Sequence, residues 1–164
     1  MTTNVANPEM SFFSRRIVSP IKTQITQGVS PRAISWAIAS GAISGIFPIL
    51  GSTTILVALT GFVAKLNQPV LHTFNWLVYP IQIIALPFFV RAGEFVFRAN
   101  PVPFSVSILI ERFREDPMQF MRDFGMSGVH GIVAWCLIAP ILAIIIVAVT
   151  HPLLESAARR WKTS

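Results

Sequence analysis

Gly45-Ile46-Phe47-Pro48-Ile49-Leu50-Gly51-Ser52-Thr53-Thr54 lies inside residues 33–64, a run without Asp, Glu, Lys or Arg. That run exceeds the roughly 20 residues a helix needs to cross a hydrocarbon core of about 30 Å. The quoted segment decides how the run is used. Pro48 lacks the N–H that would continue a helical ladder, and its ring crowds the preceding turn. Glycines flank it, and Ser52-Thr53-Thr54 offers hydroxyls to cap a fresh start. Two short helices follow from this, the first opened by Ser30 as N-cap and Pro31 at the first helical position. The second runs from Ile55 to Lys65. Each is about 12 residues, roughly 18 Å at 1.5 Å per residue, and neither crosses alone. Residues 31–65 are expected to form a re-entrant hairpin whose broken tip is buried in protein or lines a wet cavity. A single tilted, kinked span is the alternative, since membrane helices tolerate proline.

Outward from this segment, residues 66–90 and 124–154 also lack acidic and basic side chains. In the third run Ile, Val, Leu and Ala dominate, and 128–150 is expected to span, kinked rather than ended by Pro140. The second run, 66–90, reads as another spanning helix. It carries Pro69, Pro80 and Pro87, and a polar side of Asn75, Tyr79 and Gln82 that should face other helices. The expected architecture is all-α, a small polytopic membrane protein with this broken or re-entrant hairpin and two full spanning helices. Amphipathic interfacial helices complete it.

Composition agrees. Only 12% of the 164 residues are charged and 53% are hydrophobic, too few charges to clothe a water-facing surface of this size. The net charge of +6 suggests nucleic acid, but the basic residues border apolar blocks instead of forming a stripe, so no nucleic-acid partner is expected. Cys136 is the single cysteine, which excludes an internal disulfide. Ser14-Arg15-Arg16 is not followed by a hydrophobic core, and no cleavable targeting peptide is read.

The polar segments set the expected topology. Residues 91–127 form a charged connection with five basic and five acidic groups. Within it 104–114 reads as a short amphipathic helix, and Asp116-Pro117 caps another ending near Gly125. In residues 1–30, Phe13, Ile17, Ile21 and Ile25 recur every four positions beside Arg15, Arg16 and Lys22, a strip suited to an anionic leaflet. The tail, 155–164, carries Arg159, Arg160 and Lys162 against Glu155. Basic ends place both termini in the cytoplasm and demand an even number of crossings.

Gln27-Gly28-Val29-Ser30-Pro31 and the segment quoted first resemble the signature of the bacterial domain of unknown function 2062 family. So do Asn67, Asn75, Tyr79-Pro80-Ile81-Gln82 and Arg91-Ala92-Gly93-Glu94. The resemblance implies a prokaryotic multi-pass membrane protein with no established activity, and the inner membrane is its expected location. Fusions of family members to glycosyltransferase domains imply one kind of partner.

Candidate sites centre on the break. The N-terminus of the second half-helix leaves N–H groups unpaired and carries partial positive charge. With the Ser52, Thr53 and Thr54 hydroxyls it suits a phosphate or carboxylate at membrane depth, as half-helix ends do in transporters. Local turn satisfaction is the simpler use of those hydroxyls. The segment is not a nucleotide P-loop, since no Lys follows Gly51. Ala37, Gly41 and Gly45 form a small-residue face for helix packing. Arg91, Glu94 and Arg98 share one helical face, as an exposed ion pair or a lipid-phosphate contact. His72, His130 and His151 lack metal spacing, and no catalytic motif or cofactor site is present, so an enzyme is not expected.

Two functions stand. One is transport or handling of an anionic, phosphate-bearing lipid or solute, carried by Pro48, Gly51, Ser52, Thr53, Thr54, Asn75, Gln82 and Arg91. The other is a non-catalytic membrane scaffold or accessory subunit, with a glycosyltransferase-type partner. Membrane lipids, further copies of the chain or a membrane protein are the expected partners.

Overall fold

The computed structural model describes residues 17–162, and among them there are helices and no strand. They are α1 (Ser19–Thr26), α2 (Pro31–Gly45), α3 (Thr53–Val63), α4 (Gln68–Leu77), α5 (Tyr79–Phe97), α6 (Val106–Glu115) and α7 (Pro117–Lys162).

Helix α2 begins as its sequence dictates, with the Ala33 N–H donating to Ser30 Oγ at 3.2 Å and Pro31 in the first turn. It stops at Gly45, and the chain reverses through residues 46–52. Gly51 makes the reversal possible by holding φ at +84°, a region closed to most side chains. From there α3 folds back against α2 and α4, burying Val57 and Gly61. Ser52 occupies the N-cap position without capping. Its hydroxyl donates instead to the Ile49 carbonyl at 2.9 Å, so the turn uses the group expected to start α3.

Residues 66–90, expected from their lack of charge to form one spanning helix, do not. They divide at Val78 into α4 and α5. Pro80 explains the division: it has no N–H for the Trp76 carbonyl, and its ring would strike that carbonyl in a continuous helix. Pro80 is accommodated in the first turn of α5, which then runs beyond residue 90 to Phe97. Asn67 caps α4, its Oδ1 accepting from the Val70 N–H at 3.1 Å.

The charged connection is also shorter than expected. The helix begun at Pro117 does not end near Gly125 but continues through Pro140 and Pro152 to Lys162, 46 residues in all. The glycines at 125, 128 and 131 lower helix propensity, but the apolar run beyond them carries the helix on.

Helix α7 lies along α5 and α2, and α2 packs in turn on α4. The core joins Ile34, Ala37 and Ile38 of α2 to Val70 and Leu71 of α4 and to Leu154 and Ala158 of α7. Ile17, Ile21 and Ile25 are buried in this same cluster. That corrects the leaflet-facing strip: its apolar side meets the end of α7, where protein contact excludes lipid. Phe13 lies outside the described residues. Asn67 Nδ2 donates to Gln24 Oε1 at 2.6 Å, so the starts of α2 and α4, helix α1 and the end of α7 gather at one end of the molecule.

Two helices, Tyr79–Phe97 and Pro117–Trp161, are long and apolar enough to cross a membrane. Of the most apolar window of the second, 11% is buried, so protein does not shield it as it would a core helix. Phe62, Ile84 and Phe95 stand 80%, 76% and 85% exposed. Apolar surface on this scale points to membrane association.

Candidate functional site

The two breaks meet. Gln82, fully buried near the start of α5, donates from Nε2 to the Phe47 carbonyl at 2.8 Å. The Trp135 Nε1–H of α7 donates to the Ile43 carbonyl at 3.1 Å, and its ring sits edge-on to Phe47 with centroids 5.0 Å apart. Gln82 thus satisfies a carbonyl in the turn after α2, as irregular backbone away from water requires, and Trp135 adds a second donor to the Ile43 carbonyl, which also accepts the Ile46 N–H at 3.3 Å.

Close backbone approach brings these partners within reach. A Cβ on Gly41 would collide with the Leu71 carbonyl of α4, and one on Gly45 would meet the Val78 side chain and lie 3.0 Å from the Asn75 carbonyl. Ala37 is wholly buried on the same helix. Gly93 of α5 makes the equivalent approach to the His130 backbone of α7. Small residues at a crossing allow such proximity and leave polar side chains to bridge it.

The sequence-derived candidates scatter around the break. Pro48 and Thr53 are buried, Gly51 and Thr54 are exposed, and Ser52 is half-buried in its turn. Asn75 is buried under Gly45, and among the described residues neither its Oδ1 nor Gln82 Oε1 has a hydrogen-bond partner. Such lone acceptors favour a donor ligand, not an anion, at that point. The basic side chains lie elsewhere.

Arg91 reaches this region indirectly. Its guanidinium carbon stands 5.0 Å from the Phe104 ring centroid, and Nη1 donates to Glu94 Oε2 at 2.8 Å. The pair is not the exposed one expected, because Glu94 is 4% exposed and its Oε1 accepts the Val102 N–H at 2.8 Å. Arg98 ends α5 in the left-handed region at φ +52° and still lines a concavity with Arg91 and Glu94. Phe104 and Val102, with Pro48, Ile49 and Leu50 of the tip, wall an apolar cavity of about 400 Å³ between the tip, α5 and α7.

A bacterial family described as an uncharacterized protein conserved in bacteria, DUF2062, matches residues 14–162. The chain belongs to the DUF2062 family. No curated protein and no solved structure matches it.

The residues that carried the DUF2062 resemblance fall at the structural junctions. Asn67 caps α4, Tyr79-Pro80-Ile81-Gln82 forms the second break and its bond to the first, and Arg91-Ala92-Gly93-Glu94 makes the close crossing with α7 and the pinned loop. The sequence alone assigns no contact to Trp135 and gives Glu94 only as a member of an exposed pair. The indole N–H inside an apolar run was the available signal for the first, since a buried Trp needs an acceptor. For Glu94 it was the adjacent glycine, which admits the backbone of another helix.

Proposed function

We propose that this DUF2062 protein lies in the bacterial inner membrane and handles an anionic, phosphate-bearing lipid at its broken helices. The topology has two full crossings, α5 and α7, with α2 and α3 as a re-entrant pair and both termini cytoplasmic. The gathering of α1, the start of α2 and the end of α7 at one end supports this, as do the basic residues there. At about 22 and 16 Å, α2 and α3 are each shorter than the hydrocarbon core. Helix α6 lies at a membrane border in this reading, while α1 packs on the end of α7.

The observation that carries the lipid reading is the apolar cavity beneath the tip, with Arg91 stacked on Phe104 of its wall. A lipid offers hydrocarbon to the one and phosphate to the other. No catalytic role is assigned.

The test is exchange of a fluorescent phosphatidylglycerol between leaflets of vesicles containing the full chain. Protein-dependent exchange that falls in Arg91→Ala is expected, and exchange no faster than in empty vesicles rejects handling. For topology, cysteines placed at Leu50 and Lys65 in a Cys136→Ala background should never label from opposite faces. Opposite labelling removes the re-entrant pair, and release of the chain by alkaline washing removes the membrane reading altogether.

A further inference from the structure

We infer that the cavity under the Pro48 tip takes one hydrocarbon chain of an anionic membrane phospholipid, with the lipid phosphate held by Arg91. The inference rests on the membrane reading above and names the site within it.

The hydrocarbon half follows from the walls. Pro48, Leu50, Leu86, Val90, Phe104 and Val129 contribute carbon, and among the described residues the only polar side chain on the lining is Ser127. Its hydroxyl is already committed to the Asp123 carbonyl at 3.0 Å. Water entering this space loses hydrogen bonds and gains few, so such a cavity excludes it. A methylene chain supplies the dispersion contacts that an unfilled apolar space lacks, and since it arrives from lipid and not from water, packing is what favours it. At about 400 Å³ the space is near the small end of ligand sites, which suits one chain rather than two.

The phosphate half follows from charge. Residues 99–104 wall the apolar cavity through Val102 and Phe104, and through Ala99 and Pro101 they wall a polar concavity of about 700 Å³ with Arg91, Glu94 and Arg98. Two guanidinium groups against one carboxylate leave net positive charge. Arg91 has five N–H donors, and Glu94 takes one of them. The remainder suit phosphate oxygens in charge-assisted bonds. Glu94 acts as a positioning residue, fixing Arg91 through one oxygen and the cavity wall at Val102 through the other.

The experiment uses full-length protein extracted gently from vesicles of equal phosphatidylglycerol and phosphatidylcholine, with retained lipid read by native mass spectrometry. Phosphatidylglycerol should be retained about tenfold over phosphatidylcholine, since both offer a phosphate but only the second brings a choline cation against the net positive charge of Arg91 and Arg98. Arg91→Gln should bring that ratio close to one while total retention holds. Leu50→Trp and Val129→Trp alter wall positions that are 55% and 48% exposed, where the added ring has room to fold. Each should lower retention of both lipids and leave their ratio unchanged. Single-chain lysophosphatidylglycerol should bind as well as the two-chain lipid. An unchanged ratio in Arg91→Gln overturns the phosphate half, and unchanged retention in both folded Trp variants overturns the cavity half. Retention that behaves as expected without leaflet exchange leaves this site standing and rejects the handling role.

Discussion

Gln82 Nε2 and the Phe47 carbonyl, 35 residues apart in the chain, meet at 2.8 Å and tie one helix break to the other. Each break alone would leave backbone groups open in an apolar setting. Together they share a side chain that closes one of them.

Gln82→Leu should therefore destabilise the protein by about 1–2 kcal/mol, the cost of an unpaired buried acceptor. Asn75→Leu, of similar volume, should cost less, because Asn75 Oδ1 has no partner to lose. Unfolding in mixed micelles measures both, and equal losses would contradict the assigned bond.

The glycines of α2 should differ from one another. Gly41→Ala drives a methyl into the Leu71 carbonyl, which belongs to a packed helix and cannot move alone. Gly45→Ala meets the end of the Val78 side chain first. We expect about 1–3 kcal/mol for Gly41→Ala, as for other overpacked sites, and a smaller loss for Gly45→Ala. A reversed order in thermal stability would show that the α2–α4 approach is looser than described.

At Gly51 no atom lies within 4 Å of an added Cβ, so only the backbone objects. Gly51→Ala should cost about 1 kcal/mol or slightly more, and Gly51→Asn less, since Asn tolerates the left-handed region. The unfolding midpoints of the two variants decide this.

Trp135→Phe should remove the bond to the Ile43 carbonyl while keeping an aromatic face toward Phe47. A loss of about 1 kcal/mol is expected, with tryptophan fluorescence at 135 shifting to the red in wild type once the tip unfolds. No stability change in Trp135→Phe would mean that the indole N–H contributes nothing there.

Much of this was legible because proline and glycine speak locally. Ser30-Pro31 announced the start of α2, and Gly45 to Gly51 announced its end, through backbone constraints that need no tertiary partner. Pro80 carried the same information about α4 and α5, but the absence of charge across 66–90 outweighed it in the sequence reading. The fate of Ile17, Ile21 and Ile25 was not legible, because an apolar stripe looks the same whether lipid or Leu154 covers it. Glu94 was hidden for a related reason: Arg91 sits three residues before it on the helix, and the second partner, the Val102 N–H, arrives only when the chain after α5 turns back.

Helix α7 contains 46 residues and is therefore about 69 Å long, more than twice the thickness of the hydrocarbon it would cross. Such a rod works as a lever. A tilt of about 10° around its midpoint displaces each end by roughly 6 Å. The same rod touches the tip through Trp135 and α1 through Ala158, so a displacement at the tip is felt mechanically at α1.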